Sequence, residues 1–575
     1  MDILGKYIKK YKWWFVASFV LIGTSAAAQL IQPNILATII TAIVQQDTST
    51  ITRLGVILIG LALLGFVAGI LNIVIAARIA QRVGSELRGE IFEKVQEFSY
   101  SNIEKFSASN LVIRLVNDTQ QVQNLIMIML QSLTRIPVMF IGSFILAMTV
   151  LPQFWWIVIL AIALVGLVVG AAFGKMGPRF GKIQMLIEKI NAIAKENFIG
   201  MRVVKSFVQE DSEKTKFNAE SDILTKETIQ IGYIFSIMMP SFFLIMDTGI
   251  ALVMILVGRS AEVDPSIIGN SVSFISYLVM VMMSLMIGGM MVSFSSRAFV
   301  SLGRIKEVME TVRDMDYVSE SEPIATGDVV FEDVSFAYAE DTPDTLKHIS
   351  FSVKHGETLG IVGATGAGKT SLVQLMARIY DPSSGRVLIG NQDLKAVSEA
   401  VLRQDVALVL QRPTLFSGTI ADTIRQGKKD ASLEAMQRAA DIAQASEFIA
   451  KEPKGFESEV YQRGANFSGG QKQRLSIARG LVGNPKVLIL DDSTSALDAK
   501  SEKKVQEALK TDLPNTTKII VSQKISSIIH ANNILVLDDG ELVAQGTHAS
   551  LMKTSEIYQR IFESQKGKNL FASEE

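Results

Sequence analysis

Three short runs in this 575-residue sequence carry residues whose types and spacing suit phosphate and metal chemistry. The first is GATGAGKT, Gly363 to Thr370, set between the apolar run TLGIV and the helix-like SLVQLMARIY that starts at Ser371. Glycines at Gly363, Gly366 and Gly368, with small Ala364, Thr365 and Ala367 between them, let backbone N–H groups turn inward around phosphate oxygens. The helix that follows adds the positive end of its dipole. Lys369 is spaced to reach the outer phosphates, and Thr370 to give its hydroxyl oxygen to Mg²⁺. The second run, VLILDDSTSALD, ends an apolar strand at Asp491, whose carboxylate can hold Mg²⁺ through water. The third, NFSGGQKQRLSIARGL over 466–481, places Ser468, Gly469, Gly470 and Gln471 at another helix N-terminus, suited to gripping a γ-phosphate.

The rest of the sequence must position these groups. Hydrophobic residues make up 49% and mean hydropathy is +0.31, which places much of the chain outside water. Net charge is −1, so no global basic field points to nucleic acid. There are no cysteines, which excludes disulfides and Cys-based metal sites, and four scattered histidines do not suggest zinc. The run from Trp13 to Val44 is uncharged and far longer than a signal-peptide core, so it predicts a retained membrane helix.

A membrane span needs ~20 mostly apolar residues. Six candidates lie near 13–44, 54–77, 122–150, 154–174, 228–258 and 266–296. Short turns join three pairs: Gln45–Arg53, Leu151–Gln153 and Arg259–Pro265. Two long polar stretches, 78–121 and 175–227, carry sixteen Lys and Arg, whereas the turns carry Arg53 and Arg259 only. The positive-inside rule then puts the long stretches and both termini in the cytoplasm of a multi-pass protein of the cell membrane, embedded in the lipid bilayer. Their 3–4-residue charge spacing predicts membrane helices that continue far beyond the bilayer, rather than two independent soluble insertions.

The predicted domains are a membrane domain over 1–300, a linker over 301–327, a nucleotide-binding domain over 328–565 and a disordered tail over 566–575. In the third of these, β-rich runs such as VVFEDVSFAY, TLGIVG and KVLILDD alternate with helical ones, which means an α/β domain with a largely parallel sheet. The fold class is therefore membrane α-helical, six transmembrane helices with long cytoplasmic extensions, followed by a soluble α/β P-loop ATPase domain.

The core FSGGQ of the third run resembles the signature of ATP-binding cassette (ABC) proteins. The resemblance extends over nearly the whole chain, because FSASNLVIRLVNDTQQV (106–122) and ENFIGMRVVKSFVQE (196–210) resemble the two intracellular loops of ABC exporters. It implies ATP and Mg²⁺ as cofactors. It also implies that Tyr338 stacks on adenine, that Gln411 contacts Mg²⁺ and senses the membrane domain, and that Ser495–Asp498 cross the interface between two cassettes. In the family, two cassettes pack head to tail and each signature closes over the other's ATP.

Two positions depart from the family pattern. Asp492 stands where the family carries a catalytic Glu, and a carboxylate one methylene shorter falls short of the attacking water; ~1 Å of misplacement can cost ~100-fold in rate. Gln523 stands at the switch position, where the family carries His, and can donate a hydrogen bond but cannot bear positive charge. The signature and Lys369 are intact. The combination resembles the degenerate-site subunit of a heterodimeric bacterial multidrug exporter, whose partner half carries Glu and His.

The expected cargo is a hydrophobic or cationic small molecule. Met127, Met129, Met238, Met239, Met280, Met282, Met283, Met286 and Met290 suit either ordinary helix packing or a promiscuous apolar surface. Asp247 is the lone charge of its span and either attracts cations or pairs with a partner group. Arg135, beside Pro137, reads as a structural residue near the inner interface. A lipid or peptide exporter of the same architecture, and a regulatory ATP-binding subunit without a pumping role, are the competing functions.

Overall fold

The computed structural model describes residues 2–571 apart from 261–265 and 340–341. Most of the expected turn Arg259–Pro265, the terminal residues 572–575 and the side chains of Arg259 and Met290 lie outside the described residues. Packing divides the chain into two compact units: residues 1–96 with 109–310, and residues 97–108 with 311–575.

The first unit is all helical. Helix α1 (Asp2–Lys10) precedes α2 (Lys12–Val44) and α3 (Thr48–Gln96), and Lys6 and Lys10 of α1 pair with Glu90 and Glu86 of α3 at 2.6 and 2.7 Å. Helix α4 (Tyr100–Phe106) belongs to the second unit. Next come α5 (Ala108–Ile113), a π-helical stretch Arg114–Asp118, α6 (Thr119–Ile128), a second π-helical stretch Met129–Leu133, and α7 (Arg135–Val150). Helices α8 (Trp155–Ile199), α9 (Met201–Ser206), α10 (Glu210–Ser260) and α11 (Ser266–Glu310) complete the unit. Among the described residues, six helical segments are long and apolar enough to cross a membrane.

The polar stretches are helical continuations of the spans. Helices α3, α8 and α10 run for 49, 45 and 51 residues, well beyond the ~20 that a bilayer requires. Outside their apolar parts, α8 and α10 are laced together: Arg179 and Lys182 share Glu227 at 2.6 Å each, and Lys189 meets Glu220 at 2.5 Å. Residues 301–310 of the expected linker complete α11, because the amphipathic pattern from Phe299 keeps a buried face at Leu302, Ile305 and Val308.

Inside the apolar part, close packing and captured carbonyls hold the helices together. Pro33 cannot donate into α2 and disturbs its hydrogen-bond ladder. One turn apart on α11, Ser273 and Tyr277 donate to the carbonyls of Pro33 and Leu30, at 2.6 Å each. Gly269 brings α11 so near to α2 that a side chain there would strike the Ala37 carbonyl. Such small-residue contacts and interhelical hydrogen bonds are what associate helices in lipid, where burial of apolar surface gives no net drive.

The second unit is the α/β domain. Strand β1 (Val329–Phe336) pairs antiparallel with β2 (Leu346–Val353) and with β4 (Ser384–Ile389), and β5 (Gln392–Asp393) extends this sheet to the order β2-β1-β4-β5. The run VVFEDVSFAY thus belongs to a separate antiparallel sheet and not to the parallel one. Strand β3 (Thr358–Gly363) and helix α12 (Lys369–Met376) lead into the main sheet. Helix α13 (Glu399–Asp405), β6 (Val406–Val409), β7 (Gly418–Thr419), α14 (Ile420–Arg425), α15 (Leu433–Ile442), α16 (Ser446–Ile449) and β8 (Glu459–Val460) follow. Then come α17 (Gly469–Leu481), β9 (Val487–Asp491), α18 (Ala499–Asp512), β10 (Thr517–Val521), β11 (Asn533–Asp538), β12 (Glu541–Gly546), α19 (His548–Thr554) and α20 (Glu556–Phe571). The main sheet has the order β12-β11-β3-β10-β9-β6 and is parallel apart from β12. Strands β9 and β10 are buried along their whole length, as continuous apolar runs in a doubly covered parallel sheet should be. The tail expected to be disordered from 566 remains helical to Phe571.

The helix contact at Gly269 gives a direct test. Gly269→Val should lower the thermal unfolding midpoint of the detergent-purified protein by several degrees, since overpacking costs ~1–3 kcal/mol. Gly60→Ala, where nothing lies within 4 Å, should leave it unchanged.

Candidate functional site

Strand β3 ends at Gly363, where any side chain would land on the Leu537 carbonyl. The chain then turns through Gly366 and Gly368, both at φ +90°, a left-handed conformation that residues with a Cβ rarely adopt. Gly368 caps α12 and Lys369 is its first residue. The Lys369 ammonium donates to the carbonyls of Gly363 at 2.9 Å and Ala364 at 2.6 Å, so it stands across the mouth of the loop. Burial pulls Lys369 below the ordinary lysine range, and the negative charges of Asp491 and Asp492 oppose that pull.

Parallel pairing brings the other groups to the same edge of the sheet. Val521 of β10 is in register with Ile361 of β3 and with Asp491 of β9. One residue further, the Asp492 N–H donates to the Val521 carbonyl at 3.0 Å. Thr365, Gly366, Gly368, Lys369, Thr370 and Ser371 line one side of a cleft of about 380 Å³, and Gln411, Asp491, Asp492 and Gln523 line the other. Asp491 is buried, and that burial, with Asp492 beside it, raises its carboxyl above the usual aspartate range; Thr370 and Lys369 act in the opposite sense. Asp492 is raised by burial and held down mainly by Gln411, whose Nε2 donates to its Oδ2 at 3.0 Å. The Gln411 amide therefore takes one oxygen of the carboxylate.

These residues fit a magnesium ion. Two partly desolvated carboxylates side by side favour a cation between them and the phosphates. The Thr370 hydroxyl lies 3.5 Å from Asp491, and with its amide nitrogen on Asp492, Gln411 keeps its Oε1 as a further donor. A hydroxyl, a carboxylate and an amide oxygen match the oxygen preference of Mg²⁺, which takes few protein ligands and completes its shell with phosphate and water.

The remaining expected residues lie around the cleft. Tyr338 follows β1; its hydroxyl bonds Ser371 at 2.8 Å and Gln374 at 3.1 Å, and its ring stands edge-on to Phe336 and Tyr380 while remaining 45% exposed. Ser468, Gly469, Gly470 and Gln471 do not line the cleft. Gln471 forms a capping box with Ser468, its Oε1 accepting from the Ser468 N–H at 2.8 Å, so its side chain organises the start of α17 and leaves its amide N–H groups for a ligand.

Three further residues tie the site together; Gln473 lies within the third run, and no local motif marks Glu502 or Gln565. Buried Gln473 of α17 donates to the Gln411 carbonyl at 3.5 Å and accepts from the Ala496 N–H at 3.1 Å. Buried Glu502 of α18 accepts from the hydroxyls of Thr494 at 2.9 Å and Ser527 at 2.5 Å, joining the loop after Asp492 to the loop after Gln523. Gln565 of α20 donates to the Gln523 carbonyl at 2.7 Å and accepts from the Ile525 N–H at 2.9 Å, clamping the switch loop on both sides.

In the membrane unit, Met238, Met239 and Met286 line an apolar slot of about 50 Å³ with Val165, Phe235 and Phe242. That is far below the ~300 Å³ or more of a drug-sized pocket, so here these methionines pack helices. Asp247 is exposed on α10 and makes no hydrogen bond or ion pair among the described residues. The Nη2 of Arg135 donates 2.9 Å to Gln29, in the middle of α2.

Residues 346–495 match the ABC transporter family and residues 15–285 match the ABC transporter transmembrane region. An uncharacterized ABC transporter ATP-binding protein of Bacillus subtilis is 36% identical over 563 residues, covering 98% of each chain. One of Mycobacterium tuberculosis is 30% identical over 572 residues, again 98% of each. The solved structure of a bacterial Atm1-family ABC exporter with ATP bound superposes with a TM-score of 0.79 over 96% of this chain and 98% of the other, at 24% identity.

Glu502→Ala should cost on the order of 3 kcal/mol in denaturant unfolding, because it strips the acceptor from two buried hydroxyls. Glu502→Gln, which keeps an acceptor oxygen, should cost about half of that. Gln565→Leu should speed amide exchange at Ile525 about fivefold, the factor set by one hydrogen bond of ~1 kcal/mol.

Proposed function

The chain belongs to the ATP-binding cassette transporters as an exporter half-transporter, and from that premise we propose that it forms the weakly hydrolysing half of a heterodimeric pump. The observation that carries this reading is Asp492. Its carboxylate is one methylene short of the family's glutamate, and Gln411 Nε2 already engages its Oδ2. A general base must bring a carboxylate oxygen within hydrogen-bond reach of the attacking water, and the shorter arm carries Asp492 less far toward it. Gln523 supplies no charge to compensate.

In this reading the chain binds ATP through the 363–371 loop and Lys369, with Mg²⁺ at Thr370, Gln411 and Asp491, and hydrolyses it slowly. Tyr338 offers its exposed ring to the adenine. Ser468, Gly469 and Gly470, pre-shaped by the Gln471 cap, serve the nucleotide of a partner half that carries Glu and His. Two ATP molecules draw the cassettes together, which opens the membrane unit outward; hydrolysis at the partner's site resets it. The cargo is a hydrophobic or amphipathic compound, of the kind a multidrug exporter moves outward across the cytoplasmic membrane, and both termini lie on the cytoplasmic side.

Asymmetry is the testable content. In the purified pair, Asp492→Asn should leave ATP turnover within about twofold of the parent, whereas loss of the partner's glutamate should lower it on the order of 100-fold or more, the weight of a general base. Equal losses from the two substitutions, or brisk hydrolysis by this chain alone, would overturn the assignment.

A further inference from the structure

Arg135 opens α7, and the helix from there to Val150 spans about 22 Å. The hydrocarbon layer is about 30 Å thick, so the residue starts within it. Its guanidinium is fixed by Gln29, which lies about 25 Å from the Lys12 end of α2 and about 22 Å from the Val44 end. The Gln29 side chain is neutral, and among the described residues no carboxylate comes within ion-pair distance of Arg135.

The approach to Arg135 is also unusual. Met129–Leu133 is π-helical, and such turns cluster at functional sites. The Leu130 carbonyl accepts from Asn72 at 3.2 Å and Ser18 at 3.5 Å, two buried side chains committed to holding the distortion in place. Within the same turn, the amide nitrogen of Gln131 is buried without an acceptor. Two donors one helical turn apart thus lack an anionic partner. Arg135 also precedes the buried stripe Met139, Ser143 and Ala147, and the neighbouring Ile136 packs at Gly288 of α11. The guanidinium stands between α2 and α7 yet is exposed. An exposed charge at this depth faces a cavity or a ligand, since hydrocarbon is too costly a neighbour.

We infer that Arg135, with Gln29 orienting it and Gln131 beside it, receives the anionic headgroup, carboxylate or phosphate, of an amphipathic ligand inside the membrane unit. This rests on the export reading and narrows its cargo from hydrophobic compounds in general to amphiphiles with a negative head.

The test is nucleotide-free binding of 11-(dansylamino)undecanoate to the complete pump in phosphatidylcholine nanodiscs, so its failure leaves the ATP-site assignment intact. The carboxylate should bind about tenfold tighter than its methyl ester, as one charge-assisted hydrogen bond predicts. Arg135→Gln should abolish that preference while Arg135→Lys keeps most of it, with thermal unfolding confirming that both variants fold. Phosphatidylglycerol added to the discs separates the two sources: competition identifies a resident lipid headgroup, and its absence a free amphiphile. Equal binding of acid and ester, preference for a trimethylammonium analogue, or an undiminished preference in Arg135→Gln would overturn the proposal.

Discussion

The hydrogen bond from the Asp492 N–H to the Val521 carbonyl is the contact on which the nucleotide site depends. It extends the pairing of β9 and β10 one residue past the strands, and so fixes where the two loops diverge. Asp491 stays buried at the strand end, and Asp492 turns out at φ +46°, a backbone state that aspartate tolerates better than most residues. Gln411 Nε2 then finds the Asp492 carboxylate at bonding distance. Where that carboxylate sits is a matter of backbone geometry as much as of side-chain length.

Burial tunes the charges at this edge against one another. Asp491 and Asp492 are pushed toward neutrality and Lys369 is pushed the same way from the opposite side. A phosphate group and a divalent cation would relieve both tendencies at once, since each supplies the counter-charge that the low-dielectric cleft withholds. Binding strength and hydrolytic competence draw on different groups here: the first on the loop, Lys369 and Asp491, and the second on whatever base stands at position 492.

How much of this was legible in the sequence depends on the range of the interactions. The phosphate loop, the Asp491 strand and the Ser468 cap are local, written within a few residues, and their positions follow from strand-turn-helix order. The long helices were legible from apolar length and charge spacing. Glu502 and Gln565 were not, because each bridges segments separated in sequence and carries no motif of its own; Gln473 lies in the third run, but its partners Gln411 and Ala496 are set by tertiary contact. The antiparallel sheet was hidden for a related reason: VVFEDVSFAY has strand character, but its partners are set by tertiary contact. The π-turn before Arg135 was not legible, because it is pinned by Ser18 and Asn72 from two other helices. Gln471 has a role that its neighbours do not reveal, because its amide oxygen closes the helix cap.

The clamp of Gln565 on both sides of the switch loop makes α20 part of the catalytic apparatus without bringing it near a phosphate. Because both bonds run to backbone atoms, the curvature of the loop is set from α20 whatever side chain stands at 523.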